Sequence, residues 1–184
     1  MDPKPLAIVD HRVTAAQFIP SPNCNDRPAG EVSLLVIHNI SLPPGQFGGG
    51  HIEALFTNRL DATAHPYFAR IAALEVSAHL LIERTGAMIQ FVPFDRRAWH
   101  AGQSCFEGRE ACNDFSIGIE LEGADDIAYT DAQYAALSAV TDALLQTYPQ
   151  LSRERITGHS DIAPGRKTDP GPAFDWERFL DTLG

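Results

Sequence analysis

Cysteine is scarce in this chain, and its spacing is irregular. The 184 residues include three cysteines, Cys24, Cys105 and Cys112. An odd number without regular spacing is not the pattern of a disulfide framework that staples a small secreted domain. We therefore predict free thiols, with a Cys105–Cys112 bridge as the alternative in an oxidising compartment.

Positive charge and long apolar runs are also lacking. Lys and Arg total 14 against 24 Asp and Glu, which gives a formal net charge of -10. This argues against nucleic acid and anionic membrane as partners, because both are bound through basic surfaces. No stretch reaches the ~20 apolar residues of a membrane span, and the apolar run at 6–9 is too short for a signal peptide. We expect a cytoplasmic protein.

The composition is globular, and the hydrophobic pattern predicts strands. Hydrophobic residues make up 44% of the chain and charged residues 21%. Apolar or alternating segments predict strands at 31–40, 77–84, 87–94 and 114–123, the middle two forming a hairpin. In the last strand, Ile117, Ile119 and Leu121 share one face. Ser116, Gly118 and Glu120 share the other.

Helices are predicted between and after these strands. Thr130 and Gln133 form a capping-box pattern before an amphipathic segment, and Asp175 can cap a C-terminal helix. A shorter helix is expected near 51–60. Because strands and helices do not alternate strictly, we predict an α/β fold with a central mixed β-sheet and helices on both faces. We expect one domain over 1–184, with a core at about 31–183 and an N-terminal extension, 1–30, packing on it.

Two histidines and an aspartate suggest a metal site. His38 lies near the end of a buried strand, before the Gly/Pro-rich segment 43–50. His159 and Asp169 lie ten residues apart on a proline-rich loop. Two imidazoles and one carboxylate suit catalytic zinc, since the fourth position stays open for water. The spacing alone is also compatible with structural residues that bind no metal.

A zinc hydrolase also needs a proton acceptor and a group that stabilises an oxyanion. Glu120 has small neighbours on its own face of the strand, which leaves room above the sheet for a general base. The alternative is an edge-strand carboxylate facing solvent. Lys167 lies two residues before Asp169 and could stabilise the oxyanion, although a solvated surface lysine is the commoner case.

Seven segments carry a family resemblance. They are LLVIHNISLPPGQFGG, HPYF, VSAHLLIERTG, RAWHAG, NDFSIGIELEG, YTDAQY and GHSDIAPGRKTDPGPAFDW. Together they resemble the second N-acetylmuramoyl-L-alanine amidase family, which is related to peptidoglycan recognition proteins and phage amidases. The resemblance runs from about Ser33 to Trp176, and it is specific because the segments occur in the same order.

The resemblance implies a complete catalytic set. It places three ligands for one zinc ion on His38, His159 and Asp169, the carboxylate acting on water at Glu120, and the oxyanion-stabilising lysine at Lys167. Other branches of the family use cysteine where this chain has Asp169. The resemblance therefore implies the branch that hydrolyses 1,6-anhydro-muropeptides in the cytoplasm during wall turnover. We expect a monomer with a small muropeptide as its substrate.

Substrate-binding residues are less well defined. Trp99 and His100 lie in the RAWHAG motif, where an aromatic face could stack on a sugar; a buried Trp beside a hydrogen-bonded His is the alternative. Asn39 could contact substrate or hold its loop. Some family members carry basic residues near positions 75 and 111 that meet peptide carboxylates, whereas this chain has Glu75 and Ala111. Candidate replacements are Arg109, which we select, and also Arg97 and Arg84.

Three other functions remain as alternatives. A peptidoglycan-binding module would typically lack a metal ligand, but all three positions are filled here. A secreted lysin acting on polymeric wall would be expected to carry a leader or wall-binding repeats. A structural zinc protein would close the site with a fourth ligand, often cysteine, and no cysteine lies near the 159–169 cluster.

Overall fold

A computed structural model describes residues 6–184. Its strands are β1 (Ile8–Val9), β2 (Arg12–Val13), β3 (Gln17–Phe18), β4 (Cys24–Asp26), β5 (Leu34–Ile40), β6 (Leu80–Ile82), β7 (Met88–Gln90), β8 (Arg96–Ala98), β9 (Cys105–Phe106), β10 (Arg109–Glu110), β11 (Ser116–Glu122) and β12 (Ile156–Gly158). Its α-helices are α1 (His51–Phe56), α2 (Phe68–Ile71), α3 (Asp131–Thr147), α4 (His159–Ile162) and α5 (Trp176–Asp181). Short 3-10 helices cover Cys112–Asp114 and Arg153–Arg155.

A six-stranded mixed sheet forms the centre, in the order β12-β5-β11-β6-β7-β3. Strand β5 lies between β12 and β11, and both pairings are parallel. Strand β6 pairs in parallel with β11 but antiparallel with β7, which confirms the predicted hairpin. The mixed sheet agrees with the fold class predicted from the sequence.

Helices cover both faces of this sheet because its central strands are apolar on both sides. On one face, Leu35 and Ile37 of β5 and Ile117 of β11 pack in a cluster that includes residues of α3 and α5. On the other face, Leu81 of β6 packs with residues of α1 and α2. Val36 of β5 joins a third cluster that includes a residue of α4. The first five residues of β5 are buried, which explains the near-continuous apolar run in its sequence.

The predicted helix caps are present. The Thr130 side chain accepts a hydrogen bond from the backbone N–H of Gln133, and the Gln133 side chain accepts one from the backbone N–H of Thr130. Asp175 accepts from the backbone N–H of Arg178 at the start of α5. These bonds satisfy N–H groups that have no partner within the helix. The first short helix, α1, ends at Phe56, earlier than the predicted limit of 60.

Residues 6–30 contact the sheet at several points. Strand β3 adds to the edge of the sheet beside β7, and β4 pairs with β8. Val13 belongs to the main core, and the buried Arg27 donates hydrogen bonds to backbone carbonyls, including that of Ser116 in β11. Within residues 6–184, no helix has both the length and the apolar character that crossing a bilayer requires.

The thiols are free, as predicted. Cys105 is exposed and Cys112 is buried, and no bridge joins them. Burial raises the pKa of Cys112 above the ordinary value for a thiol, so this side chain packs in the core in its neutral form.

Candidate metal centre and cleft

Three neighbouring parallel strands bring the candidate catalytic side chains together. His38 of β5 is in register with Glu120 of β11. On the other side, Gly158 of β12 is in register with Ile37, so His159 follows directly beside His38. Parallel strands present their carboxyl ends at one edge, where sites form in α/β proteins. The sheet therefore places the three side chains side by side, although they are up to 121 positions apart along the chain.

Asp169 completes this group from the loop after α4. Its Oδ2 lies 3.0 Å from Nδ1 of His38 and 3.0 Å from Nδ1 of His159. The two Nδ1 atoms are 2.9 Å apart. Both histidines are buried, and the three donor atoms converge on one point. The side chains predicted as metal ligands are thus brought together.

The hydrogen bonds around the histidines favour a bound cation. Nε2 of His159 lies 3.1 Å from the carbonyl oxygen of Ala101. Because a carbonyl only accepts, Nε2 carries the proton, and in a neutral ring Nδ1 presents a bare lone pair. That lone pair lies against the Asp169 carboxylate, an arrangement that repels unless a cation sits between them. Two imidazoles and one carboxylate fit a divalent metal such as zinc and leave one coordination position free.

The ionisation states agree with this assignment. Burial lowers the pKa of His38 to about 4, so its ring is neutral at pH 7. A neutral imidazole is the form that binds a metal ion, so the state of His38 fits the role of a ligand.

Hydrogen bonds to the Pro170 carbonyl, which we call the latch, fix the backbone next to Asp169. The Pro170 carbonyl accepts hydrogen bonds from the Tyr129 hydroxyl at 2.7 Å and from Asn39 Nδ2 at 3.1 Å. Asn39 Nδ2 also donates to Asp125 Oδ1 at 2.8 Å. Gly171 has a positive φ of 78°, and a Cβ there would lie 2.3 Å from the Asp125 Cα. Asn39 therefore holds the loop, one of the two roles considered from the sequence.

Glu120 is a buried carboxylate with little compensation. Its Oε2 is inaccessible to solvent and has no hydrogen-bond partner among residues 6–184. Burial, followed by the nearby charge of Asp169, raises the pKa of Glu120 well above its ordinary value, and Lys167 opposes the shift. A buried polar atom without a partner costs free energy, so its retention beside a candidate metal site points to a functional role.

These groups line a cleft of about 500 Å³, which is within the range of small-molecule sites. Its lining includes the three candidate metal ligands, Glu120 and Lys167. The lining also includes a group of apolar and aromatic side chains, Leu42, Leu55, Phe56, Tyr67, Ile71, Leu74 and Val76. Lys167 is the one Lys or Arg that lines the cleft within residues 6–184.

The four predicted substrate-binding residues divide into two groups. Asn39, Trp99 and His100 line the cleft. Trp99 is partly buried, and its Nε1 donates to Asn25 Oδ1 at 2.7 Å. Arg109 does not line the cleft. It pairs with Glu31 at 2.8 Å and its guanidinium lies 3.9 Å from the centre of the Phe115 ring.

The other two arginines considered as peptide contacts also have partners elsewhere. Arg97 pairs with Asp114 at 2.5 Å, and Arg84 donates to the Ala128 carbonyl at 2.8 Å. Neither lines the cleft. Each of the three arginines is thus paired with a nearby acceptor outside the cleft lining, and a role of Arg109 in binding peptide carboxylates stays a prediction.

Some cleft residues were missed by the sequence reasoning. Tyr67 lines the cleft and lies within the HPYF segment, so this motif is the sequence signal that could identify it. Asp125 lines it as well, from a turn without any motif. Gly118 does not line the cleft itself, but the ring of the cleft residue His100 packs against it, a tertiary contact that no local pattern indicates.

The fold and the three converging donor atoms define a candidate metal site in a small-molecule cleft, and comparison with known proteins identifies the class of protein. The family model described as N-acetylmuramoyl-L-alanine amidase matches residues 28–172. The chain belongs to this family.

Individual relatives support this family assignment. The chain is 63% identical over 168 residues to the 1,6-anhydro-N-acetylmuramyl-L-alanine amidase AmpD of Escherichia coli (strain K12), covering 91% of each protein. A crystal structure of an AmpD selenomethionine derivative superposes with a TM-score of 0.95 at 58% identity, covering 97% of this chain and 100% of that one. A complex of AmiD from E. coli with anhydro-N-acetylmuramic acid-L-Ala-D-γ-Glu-L-Lys superposes with a TM-score of 0.61 at 27% identity. The match covers 94% of this chain and 61% of that one.

Proposed function

We propose that this protein is a zinc-dependent amidase of the cytoplasm that cleaves the bond between 1,6-anhydro-N-acetylmuramic acid and L-alanine in recycled muropeptides. The observation that carries the proposal is the convergence of three donor atoms within 3.0 Å of one another in the same cleft as the buried Glu120. Family membership supports the reaction class, and the names of the AmpD relatives support the anhydro sugar.

The proposed ligands of the one zinc ion are His38, His159 and Asp169. Bound at such a site, zinc acts as a Lewis acid that favours deprotonation of water near neutral pH and polarises a carbonyl group. The Ala101 carbonyl orients His159 by accepting from its Nε2, and the latch at Pro170 holds the Asp169 loop. The protein thereby fixes the donor atoms before the metal arrives.

Glu120 is proposed as the general base. Its raised pKa brings the carboxyl closer to neutral pH, where proton transfer in both directions is efficient. The carboxylate would take a proton from the attacking water and deliver it to the alanine nitrogen as the C–N bond breaks. The products are the free carboxyl group of the muramic acid lactyl group and the amino group of an L-alanyl peptide.

Lys167 is proposed to stabilise the oxyanion. Its side chain shares the cleft with the metal-site residues, and it is the one described cation there. A positive group beside the attacked carbonyl stabilises the negative charge that develops on oxygen. The charge is small in the ground state and large in the transition state, so this contact lowers the barrier more than it tightens binding.

The cleft suits a compact substrate. Its volume of about 500 Å³ and largely apolar wall fit one sugar and part of a short peptide. Trp99 is proposed to contact the sugar, because a flat aromatic group packs well on a pyranose face. The AmiD complex with an anhydro-muramyl peptide supports this substrate class in the family. We expect the protein to act as a monomer.

A product assay with three substrates tests the proposal. Purified protein is incubated with anhydro-muropeptide, with the matching non-anhydro muropeptide and with intact wall, and released L-alanyl peptide is measured by mass spectrometry. We expect release from the anhydro substrate, loss of release with a chelator, and recovery with added zinc. Absence of release with zinc fully bound would favour a muropeptide-binding module, and equal release from intact wall would favour a lysin.

A further inference from the structure

His100 contacts a proposed zinc ligand from behind. Its Nδ1 lies 2.9 Å from Nε2 of His38, which is the ring nitrogen pointing away from Asp169. Its Nε2 lies 3.1 Å from the Ser116 hydroxyl. The two rings meet edge to face, with an interplanar angle of 86° and centroids 5.0 Å apart. A chain of contacts therefore runs from the strand β11 through His100 to the outer nitrogen of His38.

Only one placement of the ring protons on His38 and His100 leaves Nδ1 of His38 free to bind a metal. A metal at Nδ1 of His38 requires its proton to be on Nε2, where it donates to Nδ1 of His100. Nδ1 of His100 must then be bare, so the ring proton is on Nε2, which donates a hydrogen bond to Ser116 Oγ. The opposite arrangement would put a proton on Nδ1 of His38, pointing at the other ligands.

The His100 ring is held firmly in this place. Its backbone N–H and that of Ala101 both donate to Asn113 Oδ1, at 3.1 and 2.8 Å. Gly118 of β11 lies directly beneath the ring, because a Cβ at that position would be 2.4 Å from Cγ of His100. Any larger residue would push the ring away from the strand. Gly118 and Asn113 thus fix both the approach and the orientation of His100.

We propose that His100 is a positioning residue for zinc: by accepting a hydrogen bond from Nε2–H of His38 and donating one from its own Nε2–H to Ser116 Oγ, it orients His38 and keeps the metal-facing nitrogen of His38 bare. The proposal rests on the proposed zinc function. It assigns His100 a role different from the substrate contact that the sequence suggested. Partners of this kind to metal-binding histidines typically change metal affinity by about 10–100-fold when removed.

Two variants separate positioning from simple loss of an imidazole. In His100→Asn the amide oxygen can occupy the place of Nδ1 and accept from His38. In His100→Gln the amide reaches the Nε2 place instead and leaves His38 without its acceptor. Zinc affinity is measured without substrate by competition with a fluorescent chelator. We expect His100→Gln to weaken zinc binding by about 10–100-fold, whereas His100→Asn should keep a zinc affinity near that of wild type. The control is His51→Gln, because His51 does not line the cleft.

The ring protons themselves give a second readout on the unaltered protein. In ¹⁵N-labelled, zinc-loaded protein, we expect His38 and His100 each to carry the proton on Nε2, as read from the imidazole nitrogen shifts. A proton on Nδ1 of His100, or wild-type zinc affinity in a folded His100→Gln variant, would overturn the proposal. A raised KM with unchanged zinc affinity would return His100 to substrate contact and overturn it as well.

These results are independent of the reaction assay. If the His100 variants and nitrogen shifts behave as expected but no peptide is released from muropeptide, the proposed reaction fails while the positioning role stands. If peptide is released and the zinc affinity of His100→Gln is unchanged, the reaction stands and the positioning role fails.

Discussion

Replacing Glu120 with glutamine separates proton transfer from metal binding. The amide has almost the same shape as the carboxyl group but accepts no proton from water. Glu120 is not among the three converging donors, so the variant should keep one zinc per chain. Loss of a general base costs about 10²–10⁴ in rate, or about 3–5 kcal/mol of transition-state stabilisation. We therefore expect kcat to fall by at least about 100-fold with little change in KM.

The same variant should lose activity but gain thermal stability. The raised pKa of Glu120 means that the folded state resists ionising this carboxyl group. The resulting loss of folding stability is absent at pH values below the pKa that Glu120 has in the unfolded chain. It grows as the pH rises towards the higher pKa of Glu120 in the folded state. In metal-free protein, Glu120→Gln should therefore melt at a higher temperature than wild type at pH 8, and the difference should shrink at pH 4.

The assay compares peptide release, zinc content and melting temperature for wild type, Glu120→Gln and a matched control. Glu83→Gln is a suitable control because burial also raises the pKa of Glu83, although it does not line the cleft. The control should keep wild-type turnover. Hydrolysis by Glu120→Gln at the wild-type rate would refute the assignment of the base, and loss of zinc would show that Glu120 belongs to the ligand set.

Four further predictions address the metal site, the oxyanion and the loop. Asp169→Ala should lose zinc, measured by metal analysis, and peptide release together; retained zinc would remove Asp169 from the ligand set. Lys167→Met should keep zinc but lose about 10²–10³ in kcat, and an unchanged kcat would contradict its role. Tyr129→Phe removes a donor to Pro170 and should cost about 1 kcal/mol of unfolding free energy in a urea titration, together with weaker zinc binding; unchanged values would deny the latch. Because burial lowers the pKa of His38 to about 4, metal-free protein should lose stability as pH falls from about 6.5 towards 4, and this loss should diminish in a folded His38→Gln variant.

The sequence by itself determined the local structure well. Strand β5 is an apolar run that reads as a strand buried on both faces, and the capping residues Thr130 and Asp175 mark the starts of α3 and α5. Such signals act within a few residues, through hydrogen bonds to the neighbouring backbone and through the period of side-chain burial. The candidate ligands His38, His159 and Asp169 were recognised by residue type, loop context and family resemblance.

Tertiary structure alone decided how these parts meet. The register of β11 against β5 sets Glu120 beside His38, and the approach of His100 to Gly118 gives that histidine a place against a proposed ligand. Arg109, selected from its charge, pairs with Glu31 and does not line the cleft. Register and side-chain partners depend on residues that are distant in the chain and are brought together only when the sheet packs. A residue's type therefore indicates what chemistry it can perform, whereas packing determines which atoms it reaches.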